Sequence, residues 1–157
     1  CYKKINEKLD TTLFSLIEGS RQKLIKAPAS LWIRFNKYDN IIEQLEFGIE
    51  SFNGVDKEFN EHMFIGLADW DILNKGKSLF KFNGNYDDII NTGWIAVERL
   101  SYKDEPINLS NHSFLKFIQD PNSIDFKAAV DVVVEKTLEF ININKDQIIN
   151  YSKTLGS

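Results

Sequence analysis

Apolar residues recur at helical spacing over the first segment of the chain. Between positions 4 and 26, leucines and isoleucines return every three or four residues, beginning with Ile5 and Leu9 and reaching Leu24 and Ile25. Pro28 follows and does not continue a helix. The spacing predicts an amphipathic helix over residues 4–26.

A second helix is predicted from about residue 40 to residue 53. Asp39 is a suitable N-cap, and Asn53-Gly54 has the composition of a helix C-terminus. One apolar stripe is formed at this spacing by Ile42, Leu45, Ile49 and Phe52.

Several segments instead favour strands, because their apolar residues alternate or are β-branched and aromatic. Residues 59–71 fit both periods, but Gly66 disfavours a helix by about 1 kcal/mol relative to alanine, which favours the strand. Residues 31–35 alternate as a strand does, although Trp32 and Phe35 also fit a helix face. The predicted strands are 31–35, 59–71, 78–83 and 94–100.

Three helical segments are predicted in the second half of the chain. A helical turn at 86–91 and a short helix at 113–119 precede a turn at Pro121-Asn122. A long helix is expected from about residue 125, with a break near Asn142–Asn144. Its inward positions are Ala129, Val132, Val133, Leu138 and Ile141.

This order of elements predicts an α+β fold in one domain spanning residues 1–157, with helices packed on one face of a small antiparallel sheet. The alternative is an all-α bundle. The composition supports a substantial core in either case, because 43% of the residues are hydrophobic and 13% are aromatic.

Charge is distributed unevenly along the chain. The net charge is −4, yet residues 1–37 carry eight basic and three acidic residues, and residues 38–71 carry nine acidic residues against Lys57. An acidic chain is a poor candidate for non-specific nucleic-acid binding, which needs clustered cations to displace counterions from phosphate.

The acidic residues of the predicted second helix fall on one stripe. Asp39, Glu43, Glu46 and Glu50 lie at i, i+4, i+7 and i+11, and no Lys or Arg interrupts them. Two interpretations remain open: the stripe is solubilising or neutralised by the basic first helix, or it is a docking surface for a basic partner. The candidate partner-binding residues are Asp39, Glu43, Glu46, Glu50, Asp56, Glu58, Glu61, Asp69, Trp70 and Asp71.

Residues able to carry out catalysis are few. His62 and His112 are the only histidines, and a strand over 61–71 would place His62 on the opposite face from Asp69 and Asp71. The eight glycines are scattered, without a phosphate-binding motif, and Cys1 is the only cysteine, which excludes an intrachain disulfide. We therefore expect no catalytic residue, no metal and no cofactor.

The leading hypothesis is a non-catalytic protein-binding module, such as an immunity-type inhibitor that covers a basic bacterial toxin. One alternative is a small enzyme whose carboxylate and histidine site is assembled from distant segments. Another is a surface protein anchored to a membrane by lipid on Cys1, in contrast to the cytoplasmic location expected otherwise.

Overall fold

The computed structural model describes residues 1–18, 31–36, 45–51, 62–69, 94–108 and 119–155. The elements in these ranges are α1 (Tyr2–Lys8), β1 (Phe14–Glu18), β2 (Leu31–Phe35), β3 (Leu45–Ser51), β4 (Met63–Asp69), β5 (Trp94–Arg99), β6 (Ser101–Tyr102), β7 (Glu105–Pro106) and α2 (Ile124–Leu155). The predicted mixed α+β class is confirmed, and the all-α alternative is wrong.

Strands β1 to β5 form one antiparallel sheet in chain order, and β6 and β7 form a separate two-stranded hairpin. Successive residues of a strand point to opposite faces, and directly paired residues share a face. One row across the sheet, which defines the Phe47 face, consists of Leu16, Ile33, Phe47, Leu67 and Ala96. The neighbouring row, which defines the Trp32 face, consists of Ile17, Trp32, Gly48, Gly66 and Val97.

Three of the predicted strands are present. Strand β2 coincides with the predicted strand at 31–35, β4 lies within 59–71 and β5 lies within 94–100. The strand predicted at 78–83, the turn at 86–91 and most of the helix at 113–119 lie outside the described residues.

The helix predicted over 4–26 is wrong over residues 9–18, and residues 19–26 lie outside the described residues. Asp10 forms a turn in which its Oδ1 atom accepts hydrogen bonds from the Thr12 amide at 3.0 Å and the Thr12 hydroxyl at 2.6 Å. Such local bonds compete with helix formation. The chain then enters β1, whose residues Phe14 and Leu16 alternate with Ser15 and Ile17.

The helix predicted over 40–53 is also wrong over residues 45–51, which form the central strand β3. The rest of that prediction lies outside the described residues. Leu45, Phe47 and Ile49 alternate with Glu46 and Gly48, so this segment satisfies the strand period as well as the helix period. Pairing along β3 with both β2 and β4 selects the strand.

The Phe47 face belongs to the main apolar core, which it shares with both helices. Phe47 contacts Phe140 of α2 edge to face, with ring centroids 6.0 Å apart. Ile5 of α1 and Ile148 of α2 are completely buried in the same cluster. Burial of these large apolar side chains is the main stabilising contribution on this side of the sheet.

The Trp32 face is built around two stacked indoles. Trp32 and Trp94 are stacked with ring centroids 5.3 Å apart and an interplanar angle of 13°. They reach each other across Gly48 and Gly66, where a Cβ atom would lie 2.6 Å from Trp32 Cζ3 and 2.7 Å from Trp94 Cε3 respectively. The register shift between Leu67 and Ala68 brings Trp94 opposite Ala68, on this same face.

Helix α2 is continuous over 32 residues, so the predicted break near 142–144 is wrong. Ser123 caps its first turn by accepting a hydrogen bond from the Phe126 amide at 3.1 Å. Asn144 is buried and donates a hydrogen bond to the carbonyl of Phe140 at 2.7 Å, which lets a polar residue lie inside the helix. Of the predicted inward residues, Ala129, Val133 and Ile141 are buried, while Val132 and Leu138 are half-buried.

Candidate functional site

Only three of the ten candidate partner-binding residues lie within the described residues. These are Glu46 and Glu50 on β3, and Asp69 at the end of β4. The others, which lie outside the described residues, are Asp39, Glu43, Asp56, Glu58, Glu61, Trp70 and Asp71.

The predicted stripe of four acids along one helix is wrong for Glu46 and Glu50, because both residues lie on strand β3. They still share a face, since four residues is an even spacing and strand side chains alternate with a period of two. Both therefore belong to the Trp32 face, on either side of Gly48.

Glu46 is an interior residue and forms an ion pair within the chain. Its side chain is 0% exposed, and the Nε and Nη2 atoms of Arg34 each lie 2.6 Å from its Oε1 atom. Arg34 stands directly opposite Glu46 in the register and is 26% exposed. Glu46 is thus neutralised inside the protein and does not belong to an exposed docking surface.

Asp69 is also an interior residue. It is 3% exposed and pairs in the register with Leu45 at the beginning of β3. Asp69 therefore does not present its carboxylate on the surface as the sequence interpretation required.

Glu50 differs from the other two acids. It is half-buried, and the aromatic residue Phe64 lies directly opposite it on β4. Burial raises the pKa of the Glu50 carboxyl to about 7. Within the part of the chain that the structure describes, no Lys, Arg or His forms a salt bridge with Glu50.

Arg34, the ion-pair partner of Glu46, is a residue that sequence reasoning did not single out. It is the only charged residue in the alternating segment 31–35, and an arginine at such a position needs a carboxylate when its face is buried. The need for a carboxylate could have been used for prediction, because it indicates an acid on a neighbouring strand and so favours a strand at Glu46.

His62 forms an isolated bridge with Asn108 just before β4. Its Nδ1 atom is buried and has no hydrogen-bond partner within the described ranges. No group of three or more His, Cys, Asp or Glu side chains able to hold a metal ion occurs among the described residues. His112 lies outside them.

Ion pairs with residues outside α2 are formed by three of its charged residues, Asp125, Asp131 and Lys136. Lys4 of α1 donates a hydrogen bond to Asp131, which lowers the pKa of that carboxyl. The hydrogen bond from Lys103 to Asp125, 3.1 Å long, raises the pKa of that lysine. Lys136 lies 3.0 Å from Glu139 and 3.9 Å from Glu98, and its pKa is raised mainly by the Glu139 hydrogen bond.

Across the described residues, no helix combines the length and the hydrophobicity that crossing a membrane requires. Comparisons of the chain with models of protein families, with curated proteins and with solved structures found no match.

Proposed function

We propose that this chain is a non-catalytic protein-binding module whose partner is a basic protein, with an immunity-type inhibitor of a bacterial toxin as one fitting role. The observation that carries the proposal is the charge of residues 38–71, which hold nine acids and one base in a chain of net charge −4. Toxins that act on nucleic acid need basic surfaces, and complementary potential speeds association with such a partner.

The contrast with α2 supports a special role for this segment. On α2, Lys136 lies beside Glu139, so that charges of both signs are interspersed as on an ordinary solvated helix. Residues 38–71 contain only Lys57 as a cation, and Glu50 is not paired with a cation within the described ranges.

The proposal places the partner at the acidic segment around β3 and β4. Leu45 and Asp69 face each other in the register, so the chain enters β3 and leaves β4 at the same end of the sheet. Glu43 precedes Leu45 by two positions, and Trp70 and Asp71 follow Asp69 directly. In this arrangement α1 and α2 cover the Phe47 face and take no part in binding.

The proposal also places the protein in the cytoplasm, where a single unpaired cysteine is an ordinary feature. The intact mass of the protein from its native cell tests this location, since a lipid on the exposed Cys1 would add the mass of its acyl chains.

Two variants with equal changes in net charge test the proposed function. One carries Asp56→Asn, Glu58→Gln and Glu61→Gln, and its matched control carries Glu135→Gln, Glu139→Gln and Asp146→Asn on the exposed surface of α2. Each is immobilised and used to capture proteins from lysate of the native cell, and retained proteins are eluted with increasing salt and identified.

We expect the wild type and the α2 control to retain the same basic protein, and the acidic-segment variant to release it at lower salt. Equal retention by both variants would show that only net charge matters. Retention of no basic protein by the wild type would contradict the proposal.

The second candidate, a small enzyme, is favoured by one observation. A carboxyl whose pKa is about 7 is suited to general acid–base catalysis, and Glu50 has this property. The need for a basic partner protein distinguishes the two functions, because an enzyme would act on its substrate without one.

A further inference from the structure

Two carboxylates on the Trp32 face of β3 have different surroundings. Glu46 is completely buried against the guanidinium of Arg34. Glu50, on the other side of Gly48, is half-buried with Phe64 opposite it. Among the described residues, the only other charged residue in its row is Arg99 on β5, two strands away, or about 10 Å at the usual strand spacing.

Partial burial of a carboxyl without a counterion favours its protonated form. In agreement with this, desolvation alone raises the pKa of Glu50 to about 7. An approaching cation within about 4–6 Å favours the ionised form instead, and so releases the proton. Glu50 is half-buried and not fully enclosed, so part of the residue remains in contact with solvent.

We propose that Glu50 receives a lysine or arginine side chain of the basic partner, and that this contact displaces the proton from its carboxyl. The inference rests on the proposed function and adds to it a residue and a pH dependence. The partner thus supplies the cation that pairs with Glu50, whereas Arg34 of the chain itself pairs with Glu46.

The pH dependence follows from the fraction of Glu50 that is ionised. If the partner binds only the ionised form, the apparent affinity is reduced by that fraction, and it rises about tenfold from pH 6 to pH 8. Other charged groups near this face are Arg34 on β2, Glu46 on β3, Arg99 on β5 and His62 before β4. The test therefore includes His62→Gln, which removes the histidine among these groups.

The test uses hexalysine as the cationic probe and the complete chain labelled with ¹³C at the glutamate carboxyl carbons. The Glu50 signal is assigned by its loss in Glu50→Gln, and its titration is followed from pH 4 to pH 9 with and without hexalysine. Hexalysine affinity is measured by calorimetry at pH 6 and pH 8 for the wild type, Glu50→Gln, His62→Gln and the surface control Glu135→Gln.

We expect hexalysine to lower the titration midpoint of Glu50 by at least half a pH unit. The affinity of the wild type, of His62→Gln and of Glu135→Gln should rise about tenfold between pH 6 and pH 8, and that of Glu50→Gln should stay constant. Binding with an unchanged Glu50 midpoint, or a pH dependence that survives in Glu50→Gln, overturns this inference and leaves the proposed function standing. Absence of any hexalysine binding overturns the inference too, while the proposed function is judged separately by the lysate capture.

Discussion

The two faces of the sheet are stabilised by different means. The Phe47 face is an apolar surface shared with the helices, in which Phe47 and Phe140 fill space between the sheet and α2. The Trp32 face holds two stacked indoles above two glycines and, beside them, the buried ion pair of Arg34 and Glu46. The stability of the Phe47 face depends on how much apolar volume is buried. The stability of the Trp32 face depends on glycines that leave room for the indoles and on the pairing of opposite charges.

This difference has a consequence for mutation. An apolar core accepts other apolar residues of similar volume at modest cost. On the Trp32 face, by contrast, no residue of similar volume replaces the partner of a buried charge, and no larger residue fits where a glycine lies under an indole. We therefore expect small chemical changes on the Trp32 face to have effects that equally small changes on the Phe47 face do not have.

The largest effect is expected from breaking the ion pair. Arg34→Met leaves the carboxylate of Glu46, which is 0% exposed, without its cation, and we expect the free energy of unfolding at pH 7 to fall by about 3–5 kcal/mol. Urea denaturation measures this loss. Because the double variant Arg34→Met/Glu46→Met removes both charges, it should be more stable than Arg34→Met, and a loss below about 1 kcal/mol in Arg34→Met would contradict the role given to the pair.

The next effect concerns the glycines under the indoles. Gly48→Ala places a Cβ atom 2.6 Å from Trp32 Cζ3, and Gly66→Ala places one 2.9 Å from the backbone oxygen of Ala96. Overpacking of this kind typically costs about 1–3 kcal/mol, and Gly66→Ala should cost more because a backbone atom does not move aside as a side chain does. Thermal and urea denaturation of both variants measure the order, which would be contradicted by equal or reversed losses.

A double-mutant cycle sharpens the same point. If the ring of Trp32 is the obstacle at Gly48, the smaller ring in Trp32→Phe should reduce the cost of Gly48→Ala. The cost of Gly66→Ala should change less, since its close contacts are with Trp94 and Ala96. Additive free energies for Gly48→Ala and Trp32→Phe would show that the close approach of Trp32 to Gly48 has no energetic effect.

The sequence predicted the fold class and three of the strands, although two of the three segments also fit the helix period. Residues 31–35 and 94–100 form strands as predicted, and so does the segment around Gly66, where the glycine favoured a strand. The long C-terminal helix was also predicted, but the predicted break is absent from it, and the side-chain amide of Asn144 donates a hydrogen bond to the Phe140 carbonyl within the helix.

Strands β1 and β3 were mistaken for helices because their apolar residues satisfy both periods. Gly48 lies in the middle of β3 as Gly66 lies in β4, and the two glycines pair with each other in the register. The argument that favoured a strand at Gly66 therefore applied to Gly48 as well. A short segment that fits both periods is decided by its neighbours in the sheet, which one sequence does not reveal.

The candidate site failed for a related reason. A helix over 40–53 exposes Glu46, whereas a strand at the same place buries it against Arg34. The charge count of residues 38–71 holds in either structure, but which acids remain accessible depends on the register. Glu50 is partly exposed both in the predicted helix and in the observed strand.

The smallest predicted effect is the pH dependence that Glu50 gives to stability. Its pKa is raised from 4.5 to about 7 in the folded protein, so the folded state binds a proton that the unfolded state releases over this interval. This contribution is complete below pH 4.5 and is lost as the pH rises through 7. After allowance for partial exposure, the loss should be about 1–2 kcal/mol.

The comparison of the wild type with Glu50→Gln isolates this contribution. The amide does not titrate, so the difference in unfolding free energy between the two proteins should change by about 1–2 kcal/mol in favour of Glu50→Gln between pH 4.5 and pH 8. Other carboxyls cancel in that difference, including Asp131, whose lowered pKa acts in the opposite direction. A constant difference over this range would show that Glu50 is solvated like a surface acid, and would also remove the basis for proton release on partner binding.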